Sequence, residues 1–348
     1  MSGKKTPRNK KNINLVQLQE SCKMATLCQN SGGSVVDGDY KSYSIIRNGR
    51  ITASNGMLSM SSPIPFDIEC SPHTHTLNSV ISKCKDTIHL EVSRGLLIVK
   101  SGDIVAEIEC YDQSKGVLPT VDPDKNIHTL DNSITSAMSL ISKIPNERSK
   151  NVICGSVYIK RFSVIATNQD IIIEAWHPFD MPLIAIPKKA MMAIIKAPHP
   201  LCGFGLGGNS ATFWYEDGSW LKSQLYMNAW PDSIGDRVES INSPPCEIPK
   251  DFFKAVADIE KLCPDGICHI ENGFICSKYS EGSDCDHGST IKVEGLKGCG
   301  GYNVKSLLAV SKLAKSINFN GDGIGSLHFY GPTTRGAIFD HDYGLLPF

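Results

Sequence analysis

Apolar residues recur along the chain at the two spacings that distinguish helices from strands. Six segments place them three or four positions apart, which predicts amphipathic helices. These segments cover residues 14–26, 74–86, 132–144, 187–197, 249–262 and 303–317. Proline stands in the first turn of the fourth and fifth segments, at Pro187 and Pro249, where its fixed φ suits a helix start.

Short runs of β-branched and aromatic residues fill the intervals between these segments. Gly, Asn and Asp bound the runs, which predicts strands joined by turns. The clearest runs are residues 43–46, 88–92, 157–159, 211–215 and 326–330. Because each helix is followed by several strands, the pattern predicts an α+β fold rather than an alternating βαβ one.

The predicted helices form a repeat. The first, third and fifth begin near residues 14, 132 and 249, and the second, fourth and sixth near 74, 187 and 303. A unit of about one third of the chain therefore recurs three times, which indicates a tandem array. The predicted organisation is a disordered basic tail at 1–12 and three similar domains at 13–125, 126–243 and 244–348, each with two helices packed on antiparallel sheets.

Charge divides unevenly between helices and strands, although the net charge is only −1. The six helical segments hold five acidic residues and thirteen lysines, namely Lys23, Lys83, Lys85, Lys143, Lys188, Lys189, Lys196, Lys250, Lys254, Lys261, Lys305, Lys312 and Lys315. Such basic helices attract the phosphates of duplex DNA without reading base sequence. Lysine is also a good helix former that normally faces solvent, and this simpler explanation holds for any one helix. The net charge of +8 on the six segments together, in an otherwise acidic chain, favours DNA.

Helix five illustrates the predicted geometry of the basic helices. Lys250, Lys254 and Lys261 fall at positions i, i+4 and i+11, which would align them along one helix face.

Two motifs suggest other chemistry and are rejected on context. Gly203 to Gly208 matches the G-x-G-x-x-G pattern of dinucleotide sites, but a predicted strand follows where that site needs a helix. Cys263, Cys268, Cys276, Cys285 and His287 are possible zinc ligands, yet they lack the paired C-x2-C spacing of zinc sites. The sequence therefore predicts reduced core thiols, no metal and no cofactor.

Membrane insertion and secretion are not expected either. No stretch approaches the ~18 uninterrupted apolar residues of a membrane span, and no apolar signal core follows the basic N-terminal residues. These features predict a cytoplasmic protein.

Three short segments carry a resemblance to a known family. They are Val164-Ile-Ala-Thr-Asn168, the segment Gln224 to Asp232, which ends in Trp-Pro-Asp, and the apolar, proline-containing Gly344 to Phe348. They resemble, in order, the V-A-T-D-G-H-R-L segment, the strand ending in G-x-[FY]-P-D and the C-terminal residues of the bacterial DNA polymerase III beta sliding clamps. One departure is clear, since Asn168 to Ile172 lacks the family's turn glycine and its two basic side chains.

The resemblance implies a non-enzymatic processivity factor, from a bacterium or a phage. It would be a head-to-tail homodimeric ring around duplex DNA, with helices lining the hole and edge strands of domains 1 and 3 closing it. The implied partners are a DNA polymerase and a clamp loader. The alternatives are a nucleotide-handling enzyme that uses the Gly203–Gly208 loop, for which no catalytic cluster is evident, and a structural oligomer, which needs no basic helices.

The resemblance also implies a pocket for partner peptides between domains 2 and 3. Its residues would be Ile153, Thr167, Asn168, Gln169, Asp170, Ile171, Ile172, Val238, Gly344, Leu345, Leu346, Pro347 and Phe348. A physical argument supports the tail, because Leu-Leu-Pro-Phe exposes apolar surface unless it lines a groove or packs into its own domain.

Overall fold

A helix, three strands, a second helix and three more strands occur three times in succession along the chain. The computed structural model describes residues 14–29, 40–112, 114, 116, 118–226, 230–278, 288–319 and 325–341. The predicted tail at 1–12 and the segment Gly344–Phe348 lie outside these residues, as do Cys285 and His287.

The first occurrence begins and ends within the first 110 residues. Its elements are α1 (Leu15–Leu27), β1 (Ser44–Arg47), β2 (Arg50–Ser54), β3 (Leu58–Pro63), α2 (Thr74–Ile81), β4 (His89–Ser93), β5 (Leu96–Ser101) and β6 (Ile104–Glu109). Asn14 caps α1, since its Oδ1 accepts a hydrogen bond from the Gln17 amide.

The second occurrence adds a short strand before each helix. Its elements are β7 (Asn126–Thr129), α3 (Asn132–Ile141), β8 (Ser156–Lys160), β9 (Ser163–Thr167), β10 (Ile171–Trp176), β11 (Ile184–Pro187), α4 (Lys188–Lys196), β12 (Leu201–Leu206), β13 (Ser210–Tyr215) and β14 (Trp220–Gln224).

The third occurrence follows a connecting helix, α5 (Asp232–Glu239). Its elements are β15 (Cys246–Glu247), α6 (Phe252–Ile259), β16 (Ile267–Glu271), β17 (Phe274–Cys276), β18 (Thr290–Lys292), β19 (Gly300–Asn303), α7 (Val304–Val310), β20 (Ser316–Asn318), β21 (Ser326–Tyr330) and β22 (Thr334–Phe339). The predicted α+β class and threefold repeat are confirmed.

Several predicted helix bounds were wrong. The sixth helix ends at Val310 rather than at 317, because Ile317 is extended and pairs with Cys246 and Phe329 in a sheet. The fifth begins at Phe252, since Asp251 takes a left-handed backbone with φ 65°. The sequence analysis also missed α5, whose apolar positions are few. None of the helices in the described residues is long and apolar enough to cross a membrane.

The chain divides into two compact units, one of residues 1–131 and 196–224 and one of residues 132–195 and 225–348. In the first unit a seven-stranded sheet has the order β1-β2-β3-β14-β13-β12-β7, and a three-stranded sheet has the order β4-β5-β6. The seven-stranded sheet thus joins strands on both sides of the boundary predicted at 125/126. α1 packs on α2, β2 and β3.

The second unit has the same plan. Its eight-stranded sheet has the order β11-β8-β9-β10-β22-β21-β20-β15, and its smaller sheet the order β18-β17-β16-β19. All strand pairs of the eight-stranded sheet are antiparallel. α3 packs on β9 and β10, and α6 packs on α7 and β17. Because β10 is covered on both faces, all five residues from Ile171 to Ala175 are buried.

Candidate functional site

An apolar cluster lies on one face of the eight-stranded sheet in the second unit. It is defined here as the α5 cluster and consists of Ile165, Ile172, Ala185, Trp230, Ile234, Val238, Ile241 and Ala337. Side chains alternate between the two faces of a strand, so Ile172 joins this cluster while Ile171 and Ile173 point to the face that α3 covers. α5 supplies Ile234 and Val238, one turn apart.

The rim of the α5 cluster is apolar and partly exposed. Five half-buried residues pack against it: Ile153, Tyr158, Tyr226, Tyr330 and Phe339. Tyr158 stacks on Trp230 with ring centroids 5.1 Å apart, and the Trp230 indole donates a 3.0 Å hydrogen bond to Ser156 Oγ. These contacts hold the aromatic rim in place. The accessible parts of the rim offer apolar contact area to a binding partner.

The turn between β9 and β10 borders the cluster and has a strained backbone. Gln169 has φ 84°, a conformation that favours glycine. Asn168 Oδ1 stabilises the turn by accepting 3.1 Å hydrogen bonds from the amides of Asp170 and Ile171. Thr167 Oγ1 donates to the Ile171 carbonyl at 2.8 Å. These bonds show how the turn forms without the glycine expected from the resemblance.

Carboxylates adjoin the partly exposed side of the cluster. The pKa of Asp170 is raised above its usual value by burial, and the nearby His341 offsets part of this rise. The pKa of Tyr158 is raised by burial and by the charge of Asp232. Asp170 stands where the motif of the resembled family has a basic residue, so this turn carries a carboxylate in place of a basic side chain.

A buried ion pair lies on the same sheet face as the cluster. Arg335 Nε contacts Glu174 Oε2 at 2.8 Å, directly across the β10·β22 pair, and the Glu174 side chain is only 3% exposed. Lys160 Nζ lies 3.3 Å from Glu174 Oε1. Arg335 Nη1 also donates to the Ile241 carbonyl at 3.2 Å. The pair therefore ties β10, β22 and the segment after α5 together.

We expect Arg335→Ala to destabilise the protein by about 3 kcal/mol, because it leaves the buried Glu174 carboxylate with Lys160 as its one remaining ionic partner among the described residues. Arg161→Ala is the control: Arg161 and Asp180 form an ion pair whose side chains are 67% and 64% exposed. Such a surface pair contributes at most about 1 kcal/mol. Urea denaturation followed by tryptophan fluorescence measures both variants. Equal losses would contradict the structural role of the Glu174 pair.

The structure brings part of the predicted pocket together. Ile172 and Val238 belong to the α5 cluster and Ile153 packs against it, although they are far apart in sequence. Thr167 to Ile171 form the adjoining turn and strand start. The predicted residues from Gly344 to Phe348 lie outside the described residues. That this cluster binds a peptide stays a prediction.

Sequence reasoning missed ten residues that complete the cluster or its rim, namely Ile165, Ala185, Trp230, Ile234, Ile241, Ala337, Tyr158, Tyr226, Tyr330 and Phe339. A signal was present in the i, i+4 spacing of Ile234 and Val238, which gives α5 one apolar face. The segment was too short and too polar to stand out beside the six predicted segments.

The thirteen predicted lysines cluster near helix ends. Lys23, Lys188, Lys189, Lys196, Lys254 and Lys305 lie within α-helices. The other seven lie just outside α2, α3, α6 and α7. Of the three lysines predicted to align on one face of helix five, α6 therefore contains Lys254 but neither Lys250 nor Lys261. Eleven of the thirteen are exposed, whereas Lys188 and Lys189 are half-buried. Lys188 Nζ donates a 2.6 Å hydrogen bond to the Pro145 carbonyl.

The glycine-rich motif has a packing role in the structure. Gly203 and Gly205 lie on β12, and β13 follows where a dinucleotide site needs a helix. A Cβ on Gly205 would come within 2.6 Å of the Lys125 carbonyl. Ser210 Oγ and Thr212 Oγ1 donate hydrogen bonds of 3.0 and 2.9 Å to the Asp124 carboxylate, and Lys222 Nζ forms an ion pair with it at 2.9 Å. The glycines therefore let the 124–126 backbone approach the sheet.

The cysteines of the proposed zinc alternative occupy a small sheet. Cys268 lies on β16 and Cys276 on β17, and both are buried, as is Cys263. Across the part of the chain that the structure describes, no group of three or more His, Cys, Asp or Glu side chains could hold a metal. Since Cys285 and His287 fall outside that part, the absence of a metal stays a prediction.

Comparisons with known proteins give a clear result for the fold. No family model matches the sequence, and no curated protein matches it. Solved structures do match over 94% of this chain. They include a DNA polymerase III beta subunit from Thermotoga maritima, with a TM-score of 0.72, 11% identity and 97% of that chain covered.

Two further structures agree. The DNA polymerase sliding clamp from Bacillus subtilis has a TM-score of 0.69 at 14% identity, with 97% of that chain covered. The Helicobacter pylori beta clamp bound to a DNA ligase peptide has a TM-score of 0.66 at 13% identity, with 98% of that chain covered. The chain therefore has the sliding-clamp fold, and the predicted resemblance is confirmed at the level of fold.

Proposed function

We propose that this chain, which has the fold of the DNA polymerase III beta subunits, works as a sliding clamp. It would form a homodimeric ring around duplex DNA and tether a polymerase, without sequence specificity, chemistry of its own or a cofactor. The observation that carries this proposal is a strand joint that occurs twice within the chain and leaves the two strands of a third such joint at sheet edges. These strands are β6 and β18, each at one end of the order of its sheet among the described residues.

The two internal joints have the same register. Ser61 of β3 lies opposite Trp220 of β14, and Glu174 of β10 lies opposite Arg335 of β22. Ser61 and Glu174 hold equivalent places. Ser61 stands two residues before Pro63, the partner of Arg50 at the start of β2. Glu174 stands two residues before Trp176, the partner of Ser163 at the start of β9. In both joints, therefore, the third strand after the first helix of one repeat (β3 or β10) pairs with the last strand of the next repeat (β14 or β22).

The third repeat and the first contain the equivalent positions. Thr290 of β18 stands two residues before Lys292, the partner of Phe274 at the start of β17. Val105 of β6 corresponds to Trp220 of β14. Val105 pairs with Lys100, which follows the buried Val99 of β5, and Trp220 pairs with Trp214, which follows the buried Phe213 of β13. A third joint would thus place Thr290 of one copy opposite Val105 of the next.

The proposed joint is chemically reasonable. Val105 is 68% exposed, an unusual state for a strand valine, and pairing would cover it. The same register places Lys292 opposite Asp103, and opposite charges facing each other stabilise neighbouring strands. Because the two strands lie in different copies, the joint is head-to-tail and closes a ring when the rotation per copy allows it.

The exposed lysines support a role in DNA binding. Lys254 lies on α6, and Lys250 and Lys312 lie just outside α6 and α7, which pack on each other. All three are exposed. Their charges would neutralise backbone phosphates and would not read base sequence.

Replacing Lys250, Lys254 and Lys312 by alanine is expected to weaken binding to all duplex sequences alike and to flatten its salt dependence. Each lost phosphate contact lowers the slope of log K against log salt by up to about 0.9. A matched variant replaces Lys125, Lys150 and Lys297, which are exposed and lie at least seven residues from any of the helices α1 to α7, whereas Lys250 and Lys312 lie two residues from one. Titration of a labelled duplex at several salt concentrations compares the two. Identical slopes in the two variants would refute the assignment.

The α5 cluster is the proposed docking site for partner peptides from a polymerase and a clamp loader. It has a buried apolar floor and a half-exposed aromatic rim, which suit short peptides with apolar anchors. The Helicobacter pylori clamp of the same fold is bound to a DNA ligase peptide. The tail Gly344–Phe348 is proposed to contribute to the same site. The setting is the cytoplasm of a bacterium, including one infected by a phage that encodes the chain.

A further inference from the structure

Two cysteines of the first unit stand next to each other across a pair of antiparallel segments. Pro72 lies opposite Cys110 in an isolated bridge that directly follows β6. The Tyr111 amide donates to the Ser71 carbonyl at 2.7 Å, and the His73 amide donates to the Glu109 carbonyl at 3.0 Å. These two bonds flank the bridge and hold the segments in register.

This register places the two thiols on one face. Side chains two residues apart on an extended segment point the same way, so Cys70 and Pro72 face the side on which Cys110 projects. Cys70 and Cys110 are therefore diagonal neighbours on one face of the paired segments. Their sulfurs form a side-chain hydrogen bond.

The surroundings give the two thiols different roles. Cys110 is half-buried and Cys70 is buried. The hydrogen bond from Cys70 lowers the pKa of Cys110, while the same contact and burial raise the pKa of Cys70. Cys110 therefore reaches the reactive thiolate more readily, and it is also the thiol that a small oxidant can approach.

We propose that Cys70 and Cys110 are a redox-sensitive pair that forms a reversible disulfide on exposure to a peroxide. The Cys110 thiolate attacks one peroxide oxygen, and the O–O bond breaks to leave a sulfenic acid and hydroxide. The Cys70 thiol then attacks the sulfenic sulfur and releases water. Overall, two thiols and one hydrogen peroxide give one disulfide and two waters, and a dithiol reductant reverses the change.

The bond would staple a defined part of the chain. It closes the loop of residues 71–109, which contains α2, β4, β5 and β6. Cross-linking residues that are distant in sequence restricts the unfolded chain and stabilises the folded one. This inference does not depend on the proposed clamp function, because it concerns two side chains of the first unit alone.

The test treats the full chain with increasing hydrogen peroxide, blocks remaining thiols with N-ethylmaleimide and maps cross-linked peptides by mass spectrometry. The Cys70–Cys110 peptide is expected to appear before any other cross-link and to disappear with dithiothreitol. Cys110→Ser should abolish it and leave Cys70 open to alkylation after unfolding. Cys202→Ser, at another half-buried cysteine of the same unit, should leave it unchanged.

A second measurement compares thermal unfolding of the oxidised and reduced chain. The midpoint is expected to rise on oxidation in the unmodified chain and in Cys202→Ser, but not in Cys110→Ser. Oxidation of Cys110 to a sulfinic acid without a cross-link, or equal yields of other cysteine pairs at the same peroxide concentration, would overturn the proposal. The cross-link map of the unmodified chain decides this even if the serine variant unfolds.

Discussion

The double variant Val105→Cys, Thr290→Cys is expected to form covalent dimers on mild oxidation, because the third strand joint would place these residues of adjacent copies opposite each other. Directly opposed residues of antiparallel strands have Cβ atoms about 4.5–5.5 Å apart, close to the separation that a disulfide requires. Denaturing electrophoresis without reductant measures the dimer, and peptide mapping identifies the bond among the native cysteines.

The control moves one cysteine by a single position. Ala106→Cys, Thr290→Cys places the first thiol on the other face of β6, since adjacent strand residues point to opposite faces. We expect little cross-linking between these positions. Similar yields from both variants would exclude the proposed register, and a chain whose solution mass stays that of a monomer at micromolar concentration would exclude the ring itself.

Ile153→Asp is expected to reduce the affinity for a partner peptide at least about ten-fold, since it puts a charge on the half-buried rim of the α5 cluster. Loss of one anchor contact in such a site costs about 2 kcal/mol, and 1.4 kcal/mol corresponds to a factor of ten. Fluorescence anisotropy of a labelled synthetic peptide with leucine and phenylalanine anchors measures the change. A chain lacking Leu345–Phe348 tests the predicted contribution of the tail in the same assay.

Val152→Asp provides the matched control, because Val152 adjoins Ile153 in sequence and is 41% exposed but is not among the residues packed on the cluster. Its affinity for the peptide should equal that of the unmodified chain. If both variants bind the peptide normally while their thermal stability is also unchanged, the cluster is not the peptide site. Equal losses in the two variants would point to a general charge effect instead.

Helix and strand periodicity predicted the architecture because both depend on local spacing. The apolar positions of the six predicted helices identified the threefold repeat, and strands such as β8, β13 and β21 lie within one or two residues of the predicted runs. Helix ends were harder to predict than helix positions. Ile317 fits the helical spacing, but it lies in β20 and pairs with strands on both sides, and this sheet pairing outweighed the local helical pattern.

The sequence by itself determined the α+β repeat and the basic character of the helical segments taken together. It also indicated that a strand follows the Gly203–Gly208 motif, where a dinucleotide site needs a helix. Only the tertiary structure decided which distant residues meet. Ile153, Ile172, Val238 and Phe339 come together because β10 pairs with β22 and α5 packs across them. Likewise, the equal register of the two strand joints is the basis for proposing β6 and β18 as the edges that a ring would join. Such long-range pairings depend on hydrogen bonds and packing between segments far apart in the chain, and a local pattern of residues does not encode them.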